Sequence, residues 1–358
     1  MNPRNRKPDP FALSSETCLL GGLDAARSPR VSVVLPFHNE RETLDVAIES
    51  IRGQTFEDWE LILVDDGSDD GSTEAACAHA ARDERIQYIG LSHGGIVNAL
   101  VAGCNAVRGE FIARMDADDV SAPDRLAGQL RFMETHPEIV LCGAHVRMVG
   151  PRIGIGRRRY ERWINSLKTC DAIMRDLFVE CPIAHPTFMM RTAGYRVVGG
   201  YEDRGWPEDY DLIMRFMLAG ERFGKAPGVL LDWHERPERL SMTSRRYAPL
   251  AFRKLKRHYL MQTHLAEGKV FFQWGAGKTG KPWLRAWTNP KPEAVVDINE
   301  RKIGTEIHDV KVIRPEDLPP PGALKILVAV GAPGARAEIR SWLNPRGYVE
   351  LTDYLFIA

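Results

Sequence analysis

Charge of one sign, paired cysteines and a long apolar run are all missing from this sequence of 358 residues. Lys plus Arg and Asp plus Glu each number 48, so no net field draws the chain to nucleic acid, and partners have to be inferred from local sites. The six cysteines (Cys18, Cys77, Cys104, Cys142, Cys170 and Cys181) are scattered without a CxxC pair or other metal-ligand spacing. They read as small apolar residues of a reducing compartment. No apolar run reaches the ~18–20 residues needed to cross a bilayer, and the N-terminal stretch lacks the unbroken apolar core of a secretory leader. The expectation is a cytoplasmic protein. Hydrophobic residues at 44% and charged residues at 27% are ordinary for a folded globular chain and exclude a disordered or fibrous one. The length suits two domains, or one large domain with an appendage. Residues 1–30 read as a tail.

From Val31 the pattern sharpens. VSVVLP, from Val31 to Pro36, is a continuous β-branched run of the kind buried on both faces of a parallel sheet. Asn39 as N-cap, Glu42 three residues on, and Leu44, Ala47, Ile48 and Ile51 predict a helix directly after it. A second apolar run, Glu60 to Val64, ends in Asp65-Asp66-Gly67-Ser68, and a helical stretch begins near Ser72. This is βαβ winding, in which ligands collect at the carboxyl ends of the strands. Asp65 and Asp66 there either receive N–H and O–H donors of a ligand or cap an Asp-Gly turn. A third strand, Phe111 to Met115, runs into Asp116, Asp118 and Asp119. So much negative charge on one turn suits a hard divalent cation, Mg²⁺ or Mn²⁺, that bridges a diphosphate. The other reading is an N-cap cluster for a helix from Pro123 to Glu134.

The ordered blocks VSVVLPFHNE, ILVDDGSDDGS, GEFIARMDADD followed by PDRL, HPTFMMR and PEDYDLIMR resemble family 2 glycosyltransferases of the GT-A fold. Among these, they resemble bacterial enzymes that build surface polysaccharides. The resemblance covers roughly residues 31 to 240. It implies an α/β chain with a mostly parallel central sheet, in a GT-A domain of residues 31–243. It also implies metal-dependent, inverting transfer of a sugar from a nucleotide-sugar donor, a UDP-sugar being favoured, to a glycan or lipid-linked acceptor hydroxyl. By motif position Pro36, His38, Asn39 and Glu40 line the nucleotide pocket, and Asp66 reads the base. Asp65 lies nearer the ribose or is structural, Asp116 faces ribose, and Asp118 holds the metal, with Asp119 a weaker candidate. Asp209 takes the place of the catalytic base, with Glu208 beside it, although acids also suit a helix start. Gly200, in Gly199-Gly200-Tyr201, falls beside the donor sugar. His185 touches phosphate or acceptor, or is a buried structural histidine. His234, in Asp232-Trp233-His234, is a further metal or diphosphate contact. One departure is Val101, where similar chains often carry Asn.

The C-terminal third reads differently. Residues 244–267 form a basic helical linker that either packs in the protein or meets an anionic membrane at its inner face. Residues 268–358 then begin with a short strand, Lys269 to Gln273, and the glycines Gly275, Gly277 and Gly280, and a second strand ends in Asp297. That order matches GxGxxG in a strand–turn–helix setting with an acid about 20 residues on, and predicts a small Rossmann-like α/β domain. A Walker A loop is excluded, because Pro282 follows Gly280-Lys281. Too few residues follow for a dinucleotide enzyme with its own substrate domain, so a regulatory, scaffolding or vestigial nucleotide module is expected. It should fold separately and be dispensable for donor binding. The competing function is a dinucleotide-binding oxidoreductase or sensor acting through these glycines.

Overall fold

Runs of apolar residues too short for a helix and too continuous for an exposed strand set the core of this molecule. The computed structural model describes residues 18–20, 28–151, 153–236, 239–266 and 269–358. Strands are β1 (Cys18–Leu20), β2 (Val31–Phe37), β3 (Trp59–Asp65), β4 (Ile86–Gly90), β5 (Phe111–Arg114), β6 (Val120–Ser121), β7 (Ile139–Val149), β8 (Met189–Arg191) and β9 (Arg222–His234). Among the described residues they make one sheet in the order β1-β4-β3-β2-β5-β8-β7-β9-β6. β4, β3, β2 and β5 run parallel, and β2 and β3 are buried along their whole length. This is the α/β, mostly parallel arrangement expected of the GT-A fold. The tail is a partial exception, since β1 pairs antiparallel with β4, Cys18 opposite Gly90.

Helices α1 (Leu44–Arg52), α2 (Ser72–Arg82), α3 (Ile96–Ala106), α4 (Arg125–Thr135), α5 (Ile155–Ser166), α6 (Cys170–Asp176), α7 (Thr192–Val197) and α8 (Glu208–Leu218) follow the strands. α1 starts later than its N-cap signal predicts. Thr43 occupies the cap, and Asn39 takes a left-handed conformation, φ 55°, in the loop before it. The Asn side chain is needed there to tie two turns together, as described below.

The chain forms two compact units. One consists of residues up to Cys170 with Ile183–Arg204 and Glu208–Arg239; the other consists of Asp171–Pro182, Gly205–Pro207 and Leu240–Ala358. The second unit holds α9 (Leu240–Thr243), α10 (Pro249–Gln262), α11 (Gly280–Ala286), α12 (Ala335–Leu343) and strands β10 (Phe271–Trp274), β11 (Val295–Val296), β12 (Glu306–Ile307), β13 (Val310–Ile313), β14 (Lys325–Val328) and β15 (Tyr354–Phe356). Its sheet order is β12-β13-β11-β10-β14-β15, parallel except for the β12–β13 pair. The Rossmann-like expectation meets a five-stranded parallel core here.

The second unit starts before residue 268, a position that itself lies outside the described residues. The basic helix α10 is packed into it through Leu255, Tyr259 and Leu260, all fully buried. Buried Lys256 donates from Nζ to the carbonyls of Val179, 2.6 Å, and Ile357, 3.2 Å. Asp176, also buried, pairs with Arg336 and Arg340. Residues 171–182 are therefore part of this unit's core, which the sequence pattern alone did not indicate. Among the described residues, no helix is long and apolar enough to cross a membrane.

Candidate active site

The register Phe37 opposite Asp65 makes β2 and β3 end side by side, so the turns that follow, His38–Glu40 and Asp66–Ser68, leave the sheet together. Pro36 stays in the buried strand. The Asn39 N–H donates to Ser68 Oγ and its Oδ1 accepts from the Asp69 N–H, each at 2.9 Å, which joins the two turns. Asp65 is buried and structural: it accepts from the Ser68 N–H, the Thr73 hydroxyl and the Tyr88 hydroxyl. Asp66, equally buried, accepts the Gly94 and Gly95 N–H groups, both at 2.8 Å, and His93 Nδ1 lies 2.9 Å from it. His38 and His93 stack at 4.3 Å over this turn. His93 escaped sequence reasoning, although the Gly94-Gly95 pair between a strand and a helix marks a loop built for close approach. Gly94 has Asn98 against it, where a Cβ would come within 2.7 Å of Nδ2, so Asn98 rather than partly buried Val101 lies on this loop.

β5 delivers the acid turn. Ligand oxygens of Asp116, Asp118 and Asp119 all lie within 4.8 Å of one another. Asp116 pairs with buried Arg114. Asp118 lies 3.0 Å from Arg236 Nη2, and the same nitrogen lies 2.6 Å from Glu40. β6 pairs with β9 and thereby brings Asp119 to the backbone of His234, whose N–H donates to Asp119 Oδ1 at 2.8 Å. The other oxygen, Oδ2, is buried with no hydrogen-bond partner. Burial first, then the Asp116 and Asp118 charges, push the Asp119 carboxyl well above its usual range. Burial likewise raises Glu40, against the pull of Arg236. An unpartnered buried oxygen among three crowded carboxylates is the donor set that a hard divalent cation fits. Asp119 is thus a stronger member of the set than its position suggested. The His234 imidazole does not join the cluster; its Nδ1 is buried without a partner, and its contribution here is through the main chain. Arg236 was not found from sequence, because an arginine after a strand carries no signal of its own.

α8 begins at Glu208 and Asp209. Asp209 is half-buried, and its Oδ1 accepts from the Tyr210 N–H at 2.7 Å. Glu208 is buried, with Oε1 3.8 Å from His185 Nδ1. His185 Nε2 lies 2.7 Å from the Tyr201 hydroxyl, and burial, helped by the Arg114 charge, holds its pKa well below the usual histidine range. The ring is enclosed and held by the Tyr201 hydroxyl, which fits the structural alternative better than an acceptor contact. Gly200 has φ 69°, and a Cβ there would lie 2.7 Å from the Tyr195 ring; the glycine is required by the turn itself.

In the second unit Gly275, Gly277 and Gly280 do form the turn between β10 and α11. Asp297 is committed elsewhere. Its carboxylate accepts from the Ala276 N–H, the Asn299 N–H and Lys302 Nζ, which ties the turn to the end of β11 rather than leaving an acid free for a ribose.

A mostly parallel sheet with acids gathered at its carboxyl edge is the architecture of GT-A glycosyltransferases. The family model described as "Glycosyl transferase family 2" matches residues 32–196. A putative glycosyltransferase of Bacillus subtilis, EpsE, is 35% identical over 199 residues, covering 54% of this chain and 69% of the relative. The amylovoran biosynthesis glycosyltransferase AmsE of Erwinia amylovora is 30% identical over 203 residues, covering 56% and 74%. This chain belongs to glycosyltransferase family 2. In fold it is similar to S. aureus TarS 1-349 solved in complex with UDP-GlcNAc, at TM-score 0.53 and 19% identity, with 66% of this chain and 67% of that one covered.

Proposed function

We propose that the chain is a metal-dependent, inverting glycosyltransferase that moves a sugar from a nucleoside diphosphate donor to an acceptor hydroxyl during assembly of a cell-surface polysaccharide. The observation that carries this reading is the Asp116, Asp118 and Asp119 cluster at the strand ends, with one buried oxygen unpartnered. The polysaccharide context is supported by the amylovoran enzyme, and a UDP-sugar by the UDP-GlcNAc bound to TarS. His38, Asn39, Glu40 and His93 would enclose the nucleoside, with Asp66 fixing the Gly94-Gly95 turn and Pro36 in the strand behind them, and Asp116 would face the ribose. Asp118 and Asp119 would hold Mn²⁺ or Mg²⁺, which supplies positive charge to the departing diphosphate. Arg236, already on Asp118 and Glu40, is a second cation for the same phosphates.

Asp209 is the proposed base: its carboxylate takes the proton of the acceptor hydroxyl as that oxygen attacks the anomeric carbon opposite the leaving group. Its hydrogen bond from the Tyr210 N–H orients the carboxylate that receives the proton. The deciding variant is Asp209→Asn, which keeps size and one accepting oxygen but cannot take a proton at neutral pH. We expect kcat to fall ~10²-fold or more with donor affinity and melting temperature retained. A kcat near wild type would remove Asp209 from the base role and turn attention to Glu208.

A further inference from the structure

A cavity of about 830 Å³ opens in the second unit, lined by the turn after β10, the ends of β11 and β14, and α12. Sheet topology places it where ligands sit in open α/β sheets. The chain leaves β10 for β11 and β13 on one side, then returns to β14 and β15 on the other, so the turns after β10 and β14 diverge at a switch point. The size lies within the ~300–1,000 Å³ of small-molecule sites.

The glycines of the first turn separate into two kinds. At Gly275, φ 110°, a Cβ would meet the Ala329 carbonyl at 2.8 Å, and at Gly280 it would meet the Gly275 carbonyl at 1.9 Å. The fold needs both. A Cβ at Gly277 would meet nothing within 4 Å, and its φ is not in the left-handed region. The backbone gives no reason for glycine there; a bare position keeps the cavity open. The main-chain N–H groups of Gly277, Lys278 and Thr279, and of Gly331 and Ala332 on the facing turn, make no hydrogen bond to any described residue. Five unspent donors from two facing turns, with the Lys278 and Arg314 side chains in the lining, form a cradle for a phosphate. Behind them Trp274 and Trp342, in edge contact at 5.3 Å, give a flat apolar wall, and Glu300, Glu316 and Glu338 offer acceptors for hydroxyl or amine donors. Phosphate, apolar face and hydroxyl donors occur together in a nucleotide. With Asp297 committed to Ala276, Asn299 and Lys302, and five parallel strands in place of a doubled half, the shape favours one nucleoside over a dinucleotide.

We infer that the second unit carries its own binding site for a nucleoside mono- or diphosphate, separate from the donor site and independent of metal. The test uses the full chain in EDTA, titrated calorimetrically with UDP, GDP and ADP, and with pyrophosphate and NAD⁺ as controls. At least one nucleotide should bind at one molecule per chain, more tightly than pyrophosphate or NAD⁺. Gly277→Glu, which projects an acid into the cavity, should weaken that binding at least tenfold with an unchanged melting temperature, and Lys278→Glu on the exposed rim should weaken it as well. Asp118→Ala should leave it intact. The inference is overturned if no nucleotide binds in EDTA, if pyrophosphate or NAD⁺ binds as well as the best nucleotide, or if a folded Lys278→Glu or Gly277→Glu chain binds like wild type. Loss of EDTA binding in Asp118→Ala would also overturn it, by assigning that binding to the donor site.

Discussion

Asp118 sits between two cations, one present and one proposed. Arg236 bridges it to Glu40, so removing the carboxylate leaves Arg236 a partner and the local fold little changed. Asp118→Ala should therefore remove the Mn²⁺-dependent increment in UDP binding by calorimetry while the melting temperature holds. A retained increment would move the metal role to Asp116 and Asp119. A second residue-scale consequence concerns His264, whose pKa is brought down to about 4 by burial, then by Lys325 and Lys269. The folded state resists a proton that the unfolded chain accepts below about 6.5. Stability from this group is thus complete above that pH and is lost as pH falls toward 4, by on the order of 1–3 kcal/mol. His264→Gln should flatten the urea stability profile between pH 7 and 4.5, and an unchanged slope would show that other groups set the acid sensitivity.

At the scale of elements, close packing of helix on sheet explains what no motif required. Gly103 of α3 would place a Cβ 2.5 Å from Val34, at the centre of β2, and 2.9 Å from Val64, near the carboxyl end of β3. Gly103→Ala should cost about 1–3 kcal/mol in urea unfolding, because two fully buried strands cannot retreat. A neutral effect would mean that α3 can lift from the sheet. The same contrast governs what could be read in the sequence. The buried strands VSVVLP and ELILV and the acid turn at Asp116 were legible, since continuous β-branched runs and clustered carboxylates are local signals. The start of α1 was misread, because Asn39 suits an N-cap equally well by composition and is used instead to lock the Asp-Gly-Ser turn. Arg236, His93 and the unpartnered oxygen of Asp119 depend on which strands pair, and pairing between β6 and β9 has no imprint at either segment. Asp297 shows the limit of spacing arguments: its distance from the glycines was right, and its hydrogen bonds go to the protein.

For the molecule as a whole, the path of the chain decides whether the C-terminal third can be removed. A boundary near residue 268 leads to the expectation that residues 268–358 are dispensable. The second unit, however, recruits residues 171–182 from the middle of the glycosyltransferase sequence. Removing 268–358 takes Arg336 and Arg340 from buried Asp176, the Ile357 carbonyl from buried Lys256, and the apolar cover from Val179. Taking partners from buried charges is destabilising even where some remain, here Arg175 at 3.6 Å from Asp176 and the Val179 carbonyl at 2.6 Å from Lys256. Leu177 and Phe178, both nearly inaccessible in the full chain, lie in the same stretch and add apolar surface to be reburied. A chain ending at residue 267 should therefore melt well below the full-length protein and elute as aggregate in size-exclusion chromatography, even though every proposed donor-site residue precedes the cut. The decisive control removes charge rather than restoring chain: Asp176→Asn with Lys256→Met in the truncated protein should recover part of the lost melting temperature, because neither replacement leaves a buried charge deprived of some of its partners. A truncated wild-type sequence that stays monomeric, melts like the full chain and binds UDP with Mn²⁺ would show that residues 171–182 hold their fold without the sheet they pack with, and would return the boundary to residue 268.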